Sequence, residues 1–321
     1  MLRFLLRRLL FGIVVIWLVA TTVFFLAFAA PQDPAAKMAG KQATPEVIEL
    51  VRQRLQLDDP ILVQYGRFLT DLLQGDLGFS FFYDLPVSAM IFDRLPVTAS
   101  LVLGAAVLWL VFGIAIGVLS ATRPRGWLDR AVTGFVLTGI SMPTFLLGLV
   151  LIYLLFFRLH EAGLEWFAAP NAEYIRVEQN PLGWAHQFIL PWVALAFVQC
   201  ATYTRLTRGS MLDVLGEDYI RTARAKGLTE RRVTYRHGLR AALTPVLTQF
   251  GIDVGTMLAG VIVTESVFGL QGIGQLALFA FENGDLPLIV GIVIFASFFI
   301  VLANLVVDLL YSVLDPRVRL S

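Results

Sequence analysis

Residues Val97–Ala121, VTASLVLGAAVLWLVFGIAIGVLSA, contain no charged side chain. A helix needs about 20 apolar residues to cross the hydrocarbon core of a membrane, so this stretch is long enough to span one. Five more of the kind follow the same reading: Leu9–Ala30, Ala131–Phe157, Phe188–Thr204, Ala241–Thr264 and Leu286–Tyr311. The fifth in chain order contains Asp253 and the sixth Asp308, while the first four are uncharged. The composition agrees. Of 321 residues 57% are hydrophobic and only 15% charged, whereas a water-soluble domain averages about 45–50% and about 25%.

The charges sort by side. With the termini and the segments 122–130 and 205–240 taken as inside, 17 Lys and Arg stand there against 6 acids, while the segments 31–96, 158–187 and 265–285 hold 8 against 16. Short loops enriched in Lys and Arg face the cytoplasm, which predicts both termini there. The fold class expected is all-α, a polytopic membrane protein with six transmembrane helices, divided into a first helix (1–30), an external subdomain (31–96) and a core (97–321) of five helices carrying an inside loop at 205–240. Arg3, Arg7 and Arg8 before an apolar run that ends in Ala27-Phe28-Ala29 resemble a signal peptide. The run exceeds the roughly 7–15 residues of a secretory core, and it is read as a retained span.

In the external segment, TPEVIELVRQRLQL from Thr44 places Val47, Leu50, Val51 and Leu55 on one helical stripe behind a Thr44-Pro45 start. It is either a cap on the bundle or a docking surface for an external partner. Within 205–240, Ser210-x-x-Asp213 fits a capping box, which predicts a helix start. Gly227-Leu228-Thr229 reads as a stop and restart, with Gly227 left-handed, Leu228 closing an apolar contact and Thr229 capping a helix led by Glu230. The result is helix, turn, helix. Tyr219, Ala223 and Gly227 recur every four residues, so one face becomes small enough for another protein to approach. The basic residues Arg221, Arg224, Lys226, Arg231, Arg232 and Arg236 also suit orientation and anionic lipid headgroups. DNA binding is set aside, because the element is short and lies between two spans.

Several chemistries are absent from the sequence. Lys37, Lys41 and Lys226 are followed by Met, Gln and Gly, so no GxxxxGK[ST] phosphate loop exists. Neither GxSxG nor HExxH appears. A single cysteine, Cys200, and three scattered histidines show no metal-ligand spacing. The glycines of Gly269-Leu270-Gln271-Gly272-Ile273-Gly274 are spaced for a tight turn after the fifth span, not for a dinucleotide. An acid at membrane depth is a functional candidate: Asp253 either lines a pathway or bonds another helix, and Asp308, near a span end, is read as structural, within reach of Arg317 or Arg319.

EDYIRTARAKGLTERRVTYRHGLR from Glu217 resembles the docking motif of ABC importer permeases, with its Glu-Ala-Ala-x-x-x-Gly core. Gly227 falls on the core glycine and Ala223 on the second alanine; Arg221, Thr222 and Arg240 depart from the general pattern, the first two in the manner of the branch serving dipeptides, oligopeptides and nickel. GDLGFS from Gly75, Pro86-Val87, RLPVT from Arg94, ESVFGLQGIGQL from Glu265 with Gln271 in place of a proline, and NLVVDLLYSVLDPRVR from Asn304 are similar to that branch too. The resemblance implies an inner-membrane permease subunit that is not itself an enzyme and has no cofactor of its own, ATP and Mg being bound by partner ATPase subunits. It implies a second permease subunit, two cytoplasmic ATPases and an external solute-binding protein as partners, besides membrane lipids and with no nucleic acid. Tyr219, Arg221, Ala223, Arg224, Ala225, Lys226, Gly227 and Leu228 become the docking residues, and Asp253 a pathway candidate. With one docking element and no internal repeat, the chain supplies half a pathway that alternates access. The rival reading, a stand-alone secondary transporter or channel, needs a second homologous half or several intramembrane ionisable groups.

Overall fold

The computed structural model describes residues 2–28, 35–36, 44–54, 56–80, 82–170 and 172–314. Helices dominate: α1 Leu2–Phe28, α2 Pro45–Arg54, α3 Ile61–Leu73, α4 Val87–Thr122, α5 Trp127–Ser141, α6 Thr144–Leu151, α7 Arg158–Glu161, α8 Pro181–Leu215, α9 Asp218–Ala225, α10 Glu230–Arg232, α11 Leu239–Phe268, α12 Ile273–Asn283 and α13 Leu286–Leu314. Short π-helical segments, Ile152–Phe157 and Val233–Gly238, join α6 to α7 and α10 to α11. Two two-residue strands, β1 Phe79–Ser80 and β2 Leu85–Pro86, pair antiparallel, Phe79 opposite Pro86. Among the described residues five helices are long and apolar enough to cross a membrane, and up to six when the helices meeting at Phe268 and Ile273 count as one span.

Within the described residues the expected spans are helical apart from a break at Met142-Pro143. Ala131–Phe157 is not continuous: α5 ends at Ser141, Met142 is extended (φ −97°, ψ 120°), and the membrane-length run is Thr144–Glu161. Pro143 is the cause, because its ring disfavours helical backbone at the residue before it. Phe188–Thr204 lies inside the 35-residue α8. That extension removes the predicted start at Ser210, which sits with Asp213 in the last turns of α8, where apolar anchors outweigh the local capping pattern. The stripe on α2 is also different. Val51 is buried with Ile48, Leu57 and Leu286, whereas Val47 and Leu50 are exposed, and Leu55 lies outside the described residues. Ala29, Ala30, Arg317 and Arg319 do so too.

The chain divides into two compact units, Met1–Pro96 with Gln271–Leu305, and Val97–Leu270 with Val306–Ser321. In the first, Ala20 of α1 and Val290 and Ile294 of α13 are buried with Phe68 and Leu72 of α3. Asp285 caps α13 by accepting from the Leu288 amide, and it also accepts the hydroxyl proton of Ser80 from the GDLGFS stretch. Burial raises the Asp285 carboxyl above its ordinary value, against the opposing Ser80 bond. Gln271 accepts from Arg94 at 2.9 Å.

In the second unit α8 packs most extensively on α11 and α5. Glycine permits its approach to α4. A Cβ on Gly113 would lie 2.7 Å from Tyr203 Cβ, and one on Gly117 2.6 Å from Thr207 Cβ. This small-x-x-x-small spacing is the membrane device for close helix contact, and it leaves Trp109, Tyr203 and Phe188 fully buried in one core.

Candidate functional site

Met211, in the last turns of α8, is buried with Val118, Ala121 and Ala242, which fixes the exit direction of the chain. At Gly216 the helix stops, and Glu217, extended at φ −70° and ψ 151°, leads into α9. On α9 only Ile220 and Ala223 are buried, packed on Val233 with Val214, Leu215 and Leu228 around them. The outer face holds Tyr219, Arg221, Arg224, Ala225, Lys226 and Gly227 exposed, with Leu228 half-buried.

The turn closes as the sequence predicts. Gly227 is left-handed (φ +77°); its amide donates to the Arg224 carbonyl at 2.9 Å and the Leu228 amide to the Ala223 carbonyl at 3.4 Å. That pair of bonds is a Schellman motif. Thr229 occupies the capping position of α10 without a capping bond from its side chain. Arg224 clamps the two arms by donating Nε and Nη2 to the Glu230 carboxylate at 2.8 and 3.4 Å.

Ala223 lies on the inner side of α9. It shares an inward stripe with Ile220, at 8% exposure, while Tyr219 is 46% exposed. Ala223 is buried and Gly227 lies past the end of α9 in left-handed backbone, so Tyr219, Ala223 and Gly227 do not form one open face. The surface on offer is a basic knob of Arg221, Arg224 and Lys226 around an exposed Tyr219 and Ala225. Desolvation, aided by the nearby Glu217 charge, raises the Tyr219 hydroxyl above its ordinary value.

A second feature has no counterpart in the expectations. Arg208 on α8 donates Nε and Nη2 to the two carboxylate oxygens of Asp129, at 2.7 and 2.9 Å. Asp129 also accepts from Ser120 of α4 and from the Arg125 amide at 2.9 Å. The bonds from Arg208, then Ser120 and Arg125, hold the Asp129 carboxyl well below the usual carboxylate range. Three helices are thus clasped seven residues before the end of α8. Each member is visible in sequence, but nothing in local spacing pairs residues 79 apart. The glycines at 113 and 117, by contrast, did carry a readable signal.

Asp253 is buried on α11. Its carboxylate accepts from the Tyr203 hydroxyl of α8 and from Gln249, both at 2.8 Å. Of the two roles left open, bonding another helix is the one this geometry displays. Gly269 is left-handed at the end of α11 (φ +64°), the tight turn expected there. Among the described residues no group of three or more His, Cys, Asp or Glu is placed to hold a metal ion.

Comparison with known proteins agrees with this architecture. Residues 113–320 match the model of the binding-protein-dependent transport system inner membrane component, and residues 1–102 match that of its N-terminal membrane component. A probable peptide ABC transporter permease protein of Sinorhizobium fredii (strain NBRC 101917 / NGR234) is 40% identical over 98% of this chain and 99% of its own. A putative peptide transport system permease protein of Brucella abortus (strain 2308) is 41% identical over 98% of each. A glutathione transport system permease protein of Salmonella paratyphi A (strain ATCC 9150 / SARB42) is 40% identical over 99% of each. The chain therefore belongs to the binding-protein-dependent transport system inner membrane component family, multi-pass permease subunits of ABC importers rather than catalytic enzymes.

Proposed function

We propose that this permease carries di- or oligopeptides and that ATP-hydrolysing subunits act on it through the hairpin Glu217–Arg240. The exposed face of α9 supports the docking role: an unburied basic knob stands on a hairpin that is itself anchored by a buried apolar cluster and by the Arg224–Glu230 pair. An element so fixed transmits a push instead of yielding to it. The names of the relatives support the cargo class, two being peptide permeases and one a glutathione permease. In this reading two cytoplasmic ATPases bind ATP and Mg, a second permease supplies the other half of the pathway, and an external binding protein delivers the solute. Closure of the ATPase pair moves the hairpin and rocks the helices between outward and inward access.

Reconstitution tests the reading. Vesicles holding this chain, a second permease and the ATPases should take up peptide from the binding protein with ATP consumed, and this chain alone should pass none. Flux through the chain alone would overturn it. The orientation is tested separately, in a Cys200→Ala background. A cysteine at Thr229 should react only with membrane-permeant thiol reagents, and one at Gln179 with impermeant ones; the reverse pattern removes the hairpin from the cytoplasm.

A further inference from the structure

Helix α3, Ile61–Leu73, has no buried residue, although it is largely apolar. One flank rests on the last two turns of the span α1. The Tyr65 and Thr21 hydroxyls lie 2.7 Å apart, the Phe24 ring stands 5.4 Å from Tyr65 and 5.1 Å from Phe68, and Phe68 and Leu72 pack with Ala20, Val23 and Ala27. The polar residues take another side. Gln64 donates to the carbonyls of Leu57 and Asp59, Arg67 pairs with Asp59, and Asp71 is exposed. Opposite that polar row, at 3.6 residues per turn, run Leu62, Leu69 and Leu73. Leu62 is 72% exposed and Leu73 89%.

We propose that this leucine row lies in the membrane, against lipid acyl chains, and that α3 is an interfacial helix and not only part of a water-exposed cap. Depth carries the argument. The apolar part of α1, Leu6–Phe28, has 23 residues, about 34 Å of helix against a hydrocarbon core of about 30 Å. Residues 20–28 therefore occupy the final 12 Å or so of the crossing, and α3 is packed beside them. An amphipathic helix at that depth, polar on one side and leucine-rich on the other, inserts its apolar face about 5–10 Å into the boundary between headgroups and chains. The charges are arranged accordingly, since Arg67 is neutralised by Asp59 and neither Arg67 nor Asp71 lies on the leucine side.

Single cysteines at Leu62, Leu73, Gln64 and Asp71, in a Cys200→Ala background of the full chain assembled with its partner subunits, test this. All four positions lie outside the packed flank, and uptake in each variant verifies that folding is retained. Bimane attached at Leu62 and Leu73 should lose fluorescence in vesicles of phospholipid brominated along its acyl chains and resist membrane-impermeant maleimide. At Gln64 and Asp71 quenching should be absent and maleimide labelling present. Leu62 and Leu73 labels that stay bright in brominated lipid would mean that water or a protein partner covers this face, and the proposal would fall.

Discussion

Gly227 is the position where a small change separates backbone from surface effects. Its φ of +77° belongs to the left-handed region, yet a Cβ built there meets nothing within 4 Å. A side chain is therefore strained without clashing inside this chain. For an ordinary residue that conformation costs about 1–2 kcal/mol, more for a β-branched one and less for asparagine. The strain falls on an eight-residue helix held by Ile220, Ala223 and the two bonds of its C-terminal turn, where 1–2 kcal/mol shifts the closed population about 5–30-fold. The long helices on either side keep their own cores, so insertion and abundance should be unaffected. Co-purified ATPase subunits and peptide taken up per ATP hydrolysed should fall in the order Gly227→Asn, Gly227→Ala, Gly227→Val, with asparagine near wild type. If asparagine damages coupling as much as valine, side-chain bulk against a partner is responsible, and the backbone argument is wrong. If valine couples normally, the hairpin is not the docking element.

Other expectations follow from the interior. Arg208→Ala leaves the Asp129 carboxylate without its bidentate partner and should cost about 2 kcal/mol, since Arg208 is partly solvent-screened. The folded Asp129 carboxyl sits below its unfolded value of about 3.9, so the clasp contributes fully above that value and is lost only as pH falls through the lower, folded one. The melting-temperature gap between wild type and Asp129→Asn should thus stay flat from about pH 5 to 8, and a gap that closes across this range would refute the pairing. Tyr203→Phe and Asp253→Leu each remove the interhelical bond between them, worth about 0.6 and at most about 1.7 kcal/mol; a double-mutant cycle in detergent should show coupling, and strict additivity would deny the bond. Gly117→Ala forces a methyl onto Thr207 and the Thr204 carbonyl and should cost about 1–3 kcal/mol, read as lower thermal stability of the purified chain, whereas Gly134→Ala, with open space around it, should not.

What was legible in the sequence was whatever depends on local period and composition. Apolar runs marked the helices, and Gly227-Leu228-Thr229 announced its turn because left-handed backbone strongly selects glycine. Ser210-x-x-Asp213 misled, since a capping pattern of about 1 kcal/mol competes with the burial of Met211. Met142-Pro143 did carry a break signal, which the strong hydropathy on both sides masked. The burial of Ala223 was not legible from a four-residue recurrence, because spacing alone does not say which side of a short helix its neighbours cover. The Asp129–Arg208 pair and the Tyr203–Asp253 bond lay beyond reach for another reason: charge counting places residues on a side of the membrane but does not say which of them meet.

The clasp at Arg208 gives α8 a mechanical property. From Arg208 to Leu215 the helix advances about 10 Å, and from Arg208 back to Pro181 about 40 Å. The clasp thus sits near one end of a long rod, whose far part is held along its length by buried residues such as Phe188 and Tyr203. At the far end Gln187 holds the backbone at Ala172, Glu173 and Ile175. Through the clasp the hairpin end of α8 is tied to α4 and α5 within two turns of where the helix stops.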